Sequence, residues 1–198
     1  MKANQLTVEQ LVAARAFIAS GVSVGQVTIG NQNYSVKSVT EYVSGFFSAL
    51  VNGEVLVDSN QKKVGVRSIK GNTLKGGTTQ LIESIRVLCE KPASGSTAAD
   101  DALLIGAEFA SVAPPAFKNG ELLIEQNAEL FRTSGTDIAN SKAATSNDDD
   151  FKVIAPIVIR GGDSSPFKIT MKVAGTPVVN HAFKLEWRAL EFTPAPNA

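Results

Sequence analysis

The chain contains one histidine and one cysteine, the two side chains that most readily supply catalysis or ligate metals. His181 stands between Asn180 and Ala182 at the predicted start of a strand. A catalytic triad needs a nucleophile beside its histidine, and the sequence has no Gly-x-Ser-x-Gly elbow to identify one. We therefore predict a surface or strand-end position for His181, no catalytic residues and no enzymatic activity.

Cys89 ends the apolar run Ile85–Cys89, which predicts a buried structural thiol rather than a nucleophile. A single cysteine excludes an internal disulfide bond. One histidine and one cysteine are also too few for the usual structural zinc site.

Carboxylates and glycine-rich turns offer further kinds of site. Asp148–Asp150 could donate oxygens to Ca²⁺, but they lack the spacing of an EF-hand loop, so a solvated turn is the favoured interpretation. Paired carboxylates for glycoside hydrolysis are defined in space, and nothing in the sequence selects a pair. Gly76-Gly77 and Gly161-Gly162-Asp163 lack the Gly-Lys-Ser/Thr ending of a phosphate loop. We predict no metal, no cofactor and no small-molecule substrate.

Basic and acidic residues balance at 19 each, so no global field attracts nucleic acid or an anionic membrane. A local basic patch is formed by Lys62, Lys63, Arg67, Lys70 and Lys75. A solvated face is the favoured interpretation of this patch, and nucleic-acid contact is the functional alternative.

Trp187 lies in the last predicted strand, residues 183–192. Strand alternation puts it on one face with Phe183, Leu185 and Ala189. We predict a core position for Trp187 in preference to a platform for stacking sugars.

The elements that position these residues are mainly strands. A chain of 198 residues, 43% hydrophobic and 19% charged, suits one folded domain of sandwich or barrel type. No segment approaches the roughly 20 apolar residues of a membrane span. The N-terminus lacks the apolar core of a signal peptide, so we expect folding in a reducing cytoplasm.

Turn residues separate about eight strands. The strand patterns occur at 22–29, 54–58, 64–69, 81–88, 102–112, 121–125, 129–131, 152–160, 167–174 and 183–192. Long polar loops are predicted at 91–101 and 133–150.

Two segments carry helical patterns. Thr7 can cap a helix over residues 7–19, with Gln10 at the capping-box position. Residues 38–51 have an apolar stripe with helical spacing, and a helix is favoured over a strand there despite Gly45. The stripe consists of Val39, Tyr42, Val43, Phe46, Phe47 and Leu50, and Ser38 with Glu41 matches a second capping box.

These elements predict a mainly β protein, a single jelly-roll-like antiparallel β-sandwich with an N-terminal helix. Residues 1–21 would form a helical arm, residues 22–192 the sandwich domain, and residues 193–198 a coil tail. The arm either packs on its own domain or reaches a neighbouring subunit.

Several stretches resemble the jelly-roll coat proteins of small tailless bacteriophages. They are residues 65–74 followed by 82–88, the strand-turn-strand at 119–127, and the closing strand at 183–192. The resemblance implies a capsid subunit that is made in the host cytoplasm and oligomerises in the virion around rotational symmetry. It also implies contacts through loops and termini, and it supplies no catalytic residues.

The favoured function is therefore a virion structural protein that assembles with itself and with other virion proteins. The alternative is a non-catalytic β-sandwich module that binds a carbohydrate or a protein ligand. A hydrolase that uses carboxylates is the third hypothesis, for which a deep pocket with two facing carboxylates would be the sign.

Overall fold

The structure is a computed structural model, and it confirms the mainly β class. It describes residues 7, 9–10, 12, 25–29, 31–50, 52–56, 61–91, 101–139, 151–162, 166–175 and 181–195. The Asp148–Asp150 run, most of the 91–101 loop and most of the 1–21 arm lie outside these residues. At the start of the arm, Thr7 N–H donates to Oε1 of Gln10 (2.9 Å) and Gln10 N–H donates to Oγ1 of Thr7 (3.2 Å). These are the reciprocal hydrogen bonds of the predicted capping box.

Eight strands and three short helices occur in the described residues from 25 to 195. The strands are β1 (Gln26–Ile29), β2 (Gln32–Phe46), β3 (Thr79–Glu90), β4 (Glu121–Gln126), β5 (Ala128–Ser134), β6 (Lys152–Arg160), β7 (Lys168–Lys172) and β8 (Ala182–Pro194). The helices are α1 (Asp101–Ile105), α2 (Pro115–Lys118) and α3 (Gly135–Ile138), and a 3₁₀ turn covers Phe47–Ala49. β6 has the predicted bounds, and β8 runs two residues past Phe192 into the predicted tail.

The strands form two antiparallel sheets. The larger sheet has the order β1-β2-β8-β3-β6, and the smaller has the order β5-β4-β7. A short segment extends the smaller sheet beyond β7, because Val55 N–H donates to the Ile169 carbonyl (2.9 Å) and Met171 N–H donates to the Gly53 carbonyl (2.8 Å). Residues 53–55 therefore act as a rudimentary fourth strand of that sheet.

Both sheets contribute side chains to the main hydrophobic core. Ile85 and Trp187 come from the larger sheet, and Leu122 and Met171 come from the smaller one. Trp187 is 1% exposed, which confirms its predicted core position. Burial of such large apolar side chains contributes roughly 1.5–3 kcal/mol each for an aliphatic or Phe residue, so this core supplies the main drive for folding.

The prediction of a helix over residues 38–51 is wrong, because most of that segment belongs to β2. β2 pairs with β8 in unbroken register from Tyr34 opposite Pro194 to Phe46 opposite Ala182. The stripe that fits a helix also fits a strand buried on both faces, and pairing with neighbouring strands overrides local propensity. Gly45 has a packing role here, since a Cβ at this position would lie 2.9 Å from the Phe183 ring.

Two predicted strands are absent from the described residues, and a third is reduced to a single bridge. Ala102–Val112 begins as α1 and continues as irregular chain, because its short apolar run fits a helix as well as a strand. Val64–Ile69 forms a turn closed by a Lys63–Arg67 bridge. Of the predicted strand at 54–58, residues 54–56 are described, and among these only Glu54 forms a bridge, opposite Thr170.

Candidate functional site

A cleft of about 680 Å³ opens beside β2, β8 and the loop over residues 61–78. Its lining contains more charged side chains than a packed core would contain. Four lysines and two glutamates line it: Lys37, Lys62, Lys70, Lys75, Glu41 and Glu191. Of the predicted basic patch, three lysines therefore reach this cleft.

Strand register explains why residues distant in sequence meet at the base of the cleft. Lys37 on β2 and Gln80 on β3 both lie opposite Glu191 on β8, so all three side chains leave the same face of the larger sheet. Glu41 lies on that face as well, opposite Trp187.

The two carboxylates of the cleft are joined through one amide group. Gln80 Nε2 donates to Oε1 of Glu41 (3.3 Å) and to Oε2 of Glu191 (3.0 Å). The indole N–H of Trp187 donates to Gln80 Oε1 at 3.4 Å, which fixes the orientation of the amide. The Ser68 hydroxyl also donates to Glu41. Both carboxylates thus have donors from the protein itself.

Lys37 completes this network through an ion pair with Glu191, with 2.8 Å between Nζ and Oε1. Burial raises the pKa of Glu191, but the hydrogen bonds from Lys37 and Gln80 outweigh it, and the net pKa is lowered. The hydrogen bond to Glu191 likewise raises the pKa of Lys37. This carboxyl group is therefore held ionised.

The lysines at the rim of the cleft differ from Lys37 in their surroundings. Lys62, Lys70 and Lys75 are exposed, and none forms an ion pair with a carboxylate of the described residues. The other two members of the predicted patch turn away, because Lys63 and Arg67 pair with Asp101 of α1 at 2.8 and 3.9 Å. The structure thus divides the patch into a cleft half and a paired half.

A second charged cluster lies on the opposite face of the larger sheet. Glu186 is 6% exposed and accepts hydrogen bonds from Arg86 Nε (2.6 Å) and Lys184 Nζ (2.8 Å). Burial raises the pKa of Glu186, but these two donors outweigh it and the net pKa is lowered. The Phe151 ring lies 4.3 Å from the Arg86 guanidinium and 4.1 Å from that of Arg188. The Glu186 carboxylate is thus paired with two cations on this face of the sheet.

The remaining predicted site residues have ordinary surroundings. Cys89 is fully buried, which confirms the predicted burial of this thiol, and burial raises its pKa to about 12. His181 directly precedes β8, and its carbonyl accepts a hydrogen bond from Phe47 N–H at 3.0 Å. Across the described ranges, no group of three or more His, Cys, Asp or Glu side chains could hold a metal ion.

Sequence reasoning identified the rim lysines but missed Lys37, Glu41, Gln80 and Glu191. The signal that could have identified these residues was strand alternation, which places Lys37 and Glu41 on the same face of β2. The helical interpretation of residues 38–51 hid this signal, because it assigned Glu41 to a capping box.

No protein-family model, curated protein or solved structure matches the chain. In the part of the chain that the structure describes, no helix is long and apolar enough to cross a membrane.

Proposed function

We propose that the chain is a virion structural protein, a capsid subunit with a single jelly-roll domain that associates with further copies of itself and with other virion proteins. It is not an enzyme on this proposal, and its place of action is the virion. The sequence resemblance to coat proteins of tailless bacteriophages motivates this proposal, and the order of the strands supports it.

Strand order supports the jelly roll in detail. Counting residues 53–55 between β2 and β3, the eight segments from β2 to β8 divide into two groups of four. The larger sheet has the order first, last, third, sixth, and the smaller has the order fifth, fourth, seventh, second. These pairings support the jelly-roll proposal, in which two Greek keys would wrap into a sandwich. β1 adds an edge strand to this set.

Jelly rolls occur in viral capsid and lectin domains, so the fold alone supports the function only by analogy. Surface properties favour association. The net charge of zero removes long-range repulsion between copies. Val64 is 91% exposed at a turn, and Ile105 of α1, which is 54% exposed, lies next to Gly65 of the same turn, where an added Cβ would be 3.1 Å from Ile105 Cγ1. Adjacent exposed apolar side chains are typical of contact surfaces.

The edges of the larger sheet offer less to a neighbour than this turn does. β1 has only four residues, and β6 contains Pro156, which lacks the N–H that ladder pairing requires. On this proposal, copies would associate through loops at the ends of the sandwich rather than by joining their larger sheets edge to edge.

The carbohydrate-binding alternative has lost the residue that best supported it. Trp187 is buried and donates its indole N–H to Gln80, so it presents no ring face to a sugar. The cleft beside β2 and β8 keeps ligand binding open as a property of the molecule.

Light scattering after size-exclusion chromatography, over a series of protein concentrations, tests the proposal. We expect the wild type to form a defined oligomer, and we expect Val64→Asp to shift it towards smaller species because a charge would enter the contact. Ala128→Asp, at an exposed position of β5, is the matched control and should leave the oligomer unchanged. A wild type that stays monomeric at every concentration and captures no companion virion protein would remove the proposal.

A further inference from the structure

We propose that the cleft beside β2 and β8 binds the phosphodiester backbone of single-stranded nucleic acid through Lys62, Lys70 and Lys75. This property is separate from shell assembly, because binding is measured for each subunit whatever its oligomeric state.

The charges of the cleft call for an anionic ligand. Its carboxylates are already engaged, Glu191 by Lys37 and Gln80, and Glu41 by Gln80 and Ser68. None of the three rim lysines forms an ion pair in the described residues, although the charge of Lys62 helps to lower the pKa of Glu191. A ligand that enters the cleft therefore meets unpaired cations and occupied acceptors.

Backbone hydrogen bonds hold the loop that carries these lysines in place. Ser68 N–H donates to the Tyr42 carbonyl (2.9 Å), and Phe167 N–H donates to the Asn72 carbonyl (3.0 Å). Near its end, Gly161 N–H donates to the Thr78 carbonyl at 2.6 Å. Because the loop is fixed to three other parts of the fold, binding costs little ordering of the backbone.

Gly161 shows how closely this loop packs. A Cβ at Gly161 would lie 2.2 Å from the Lys75 carbonyl oxygen, so only glycine permits the contact. Packing therefore positions the backbone of Lys75, and its flexible side chain remains available to the cleft.

The kind of anion follows from the shape and the residue types. Lysine binds phosphate as a point charge, without the bidentate geometry that arginine provides. A volume of about 680 Å³ is in the range of sites for ligands much larger than one phosphate. Separate lysines along such a cleft suit a polymer with one charge per repeating unit. Among the described residues, no aromatic side chain lines the cleft, so binding would rest on phosphate contacts and sequence would not be read.

Fluorescence anisotropy with a labelled single-stranded oligothymidine, measured over a range of salt concentrations, is the test. Three phosphate contacts predict a slope of log Kobs against log salt of about −2, since each contact on a single strand contributes about −0.7. Raising salt from about 50 to 200 mM should then weaken binding roughly 20-fold.

Variants assign the effect to the cleft. Single Lys→Gln changes at positions 62, 70 and 75 should each reduce the slope by about 0.7, and the triple variant should lose the salt-dependent binding. The triple variant Lys91→Gln, Lys118→Gln, Lys152→Gln removes the same charge outside the cleft and should bind like the wild type. Unchanged thermal midpoints would show that both triple variants are folded.

Three results would overturn the inference. They are an absence of oligonucleotide binding at about 50 mM salt, equal loss of binding in the two triple variants, and equal competition by a poly-aspartate peptide of the same charge. The last result would show a general anion site rather than a phosphodiester site.

Discussion

Replacing Glu186 by glutamine tests how the charges on the outward face of the larger sheet are balanced. The side chain is 7% exposed and accepts hydrogen bonds from Arg86 and Lys184, whose side chains are 17% and 27% exposed. Removing one partner of a buried ion pair costs about 3–5 kcal/mol because the other charge stays buried. Both cations here keep some solvent contact, and Arg86 keeps the Phe151 ring, so we expect a loss of about 2–4 kcal/mol.

Urea unfolding followed by circular dichroism measures this loss. Glu129→Gln is the matched control, because Glu129 and its partner Arg132 have side chains that are 48% and 51% exposed, and screening leaves such pairs little effect. We expect a lower unfolding midpoint for Glu186→Gln and no resolved change for Glu129→Gln. Equal effects of the two substitutions would show that burial does not set the strength of the pair.

Acid provides an independent check on the same residue. The folded pKa of Glu186 lies below its unfolded value, so its ionisation stabilises the fold fully above the unfolded pKa of about 4.3. This contribution is lost as the pH falls through the folded pKa. The stability difference between wild type and Glu186→Gln should therefore narrow below about pH 4, and a difference that is constant down to acid unfolding would refute the assignment.

Three further experiments test the packing of the sandwich. Trp187→Ala should cost about 3–5 kcal/mol in urea unfolding, whereas Val64→Ala, at an exposed turn, should change stability by less than about 0.5 kcal/mol. Cys89 should react with a thiol reagent only after unfolding, since it is fully buried and its pKa is raised to about 12; rapid labelling of the native protein would contradict this. Gly120→Ala should lower the thermal midpoint, because the added Cβ would lie 2.0 Å from the carbonyl oxygen of Lys172 in β7. Gly76→Ala should leave the midpoint unchanged, because the nearest atom to its added Cβ is 3.9 Å away.

Alternation and turn residues predicted most strands of the two sheets. β6 and the central parts of β3, β4 and β8 were located from these signals, because each has one clear apolar period between turns. Segments with two compatible periods were assigned wrongly. The stripe in β2 fits both a helix and a doubly buried strand, and only pairing with β8 decides between them.

The cleft was only half visible in the sequence. The rim lysines fall within a short stretch and could be recognised as a basic patch. The base of the cleft could not, because the bond from Gln80 to Glu191 joins residues 111 positions apart. That separation is set by strand order, which a single sequence does not reveal. Pairing of Lys63 and Arg67 with Asp101 also depends on where α1 packs.

Electron microscopy of the purified protein, or of the particle from which it comes, tests the central claim most directly. We expect closed particles or rings with rotational symmetry, in which copies of the sandwich meet through loops at their ends. Images that contain only isolated subunits at high concentration, with this protein missing from the source particle, would contradict the account.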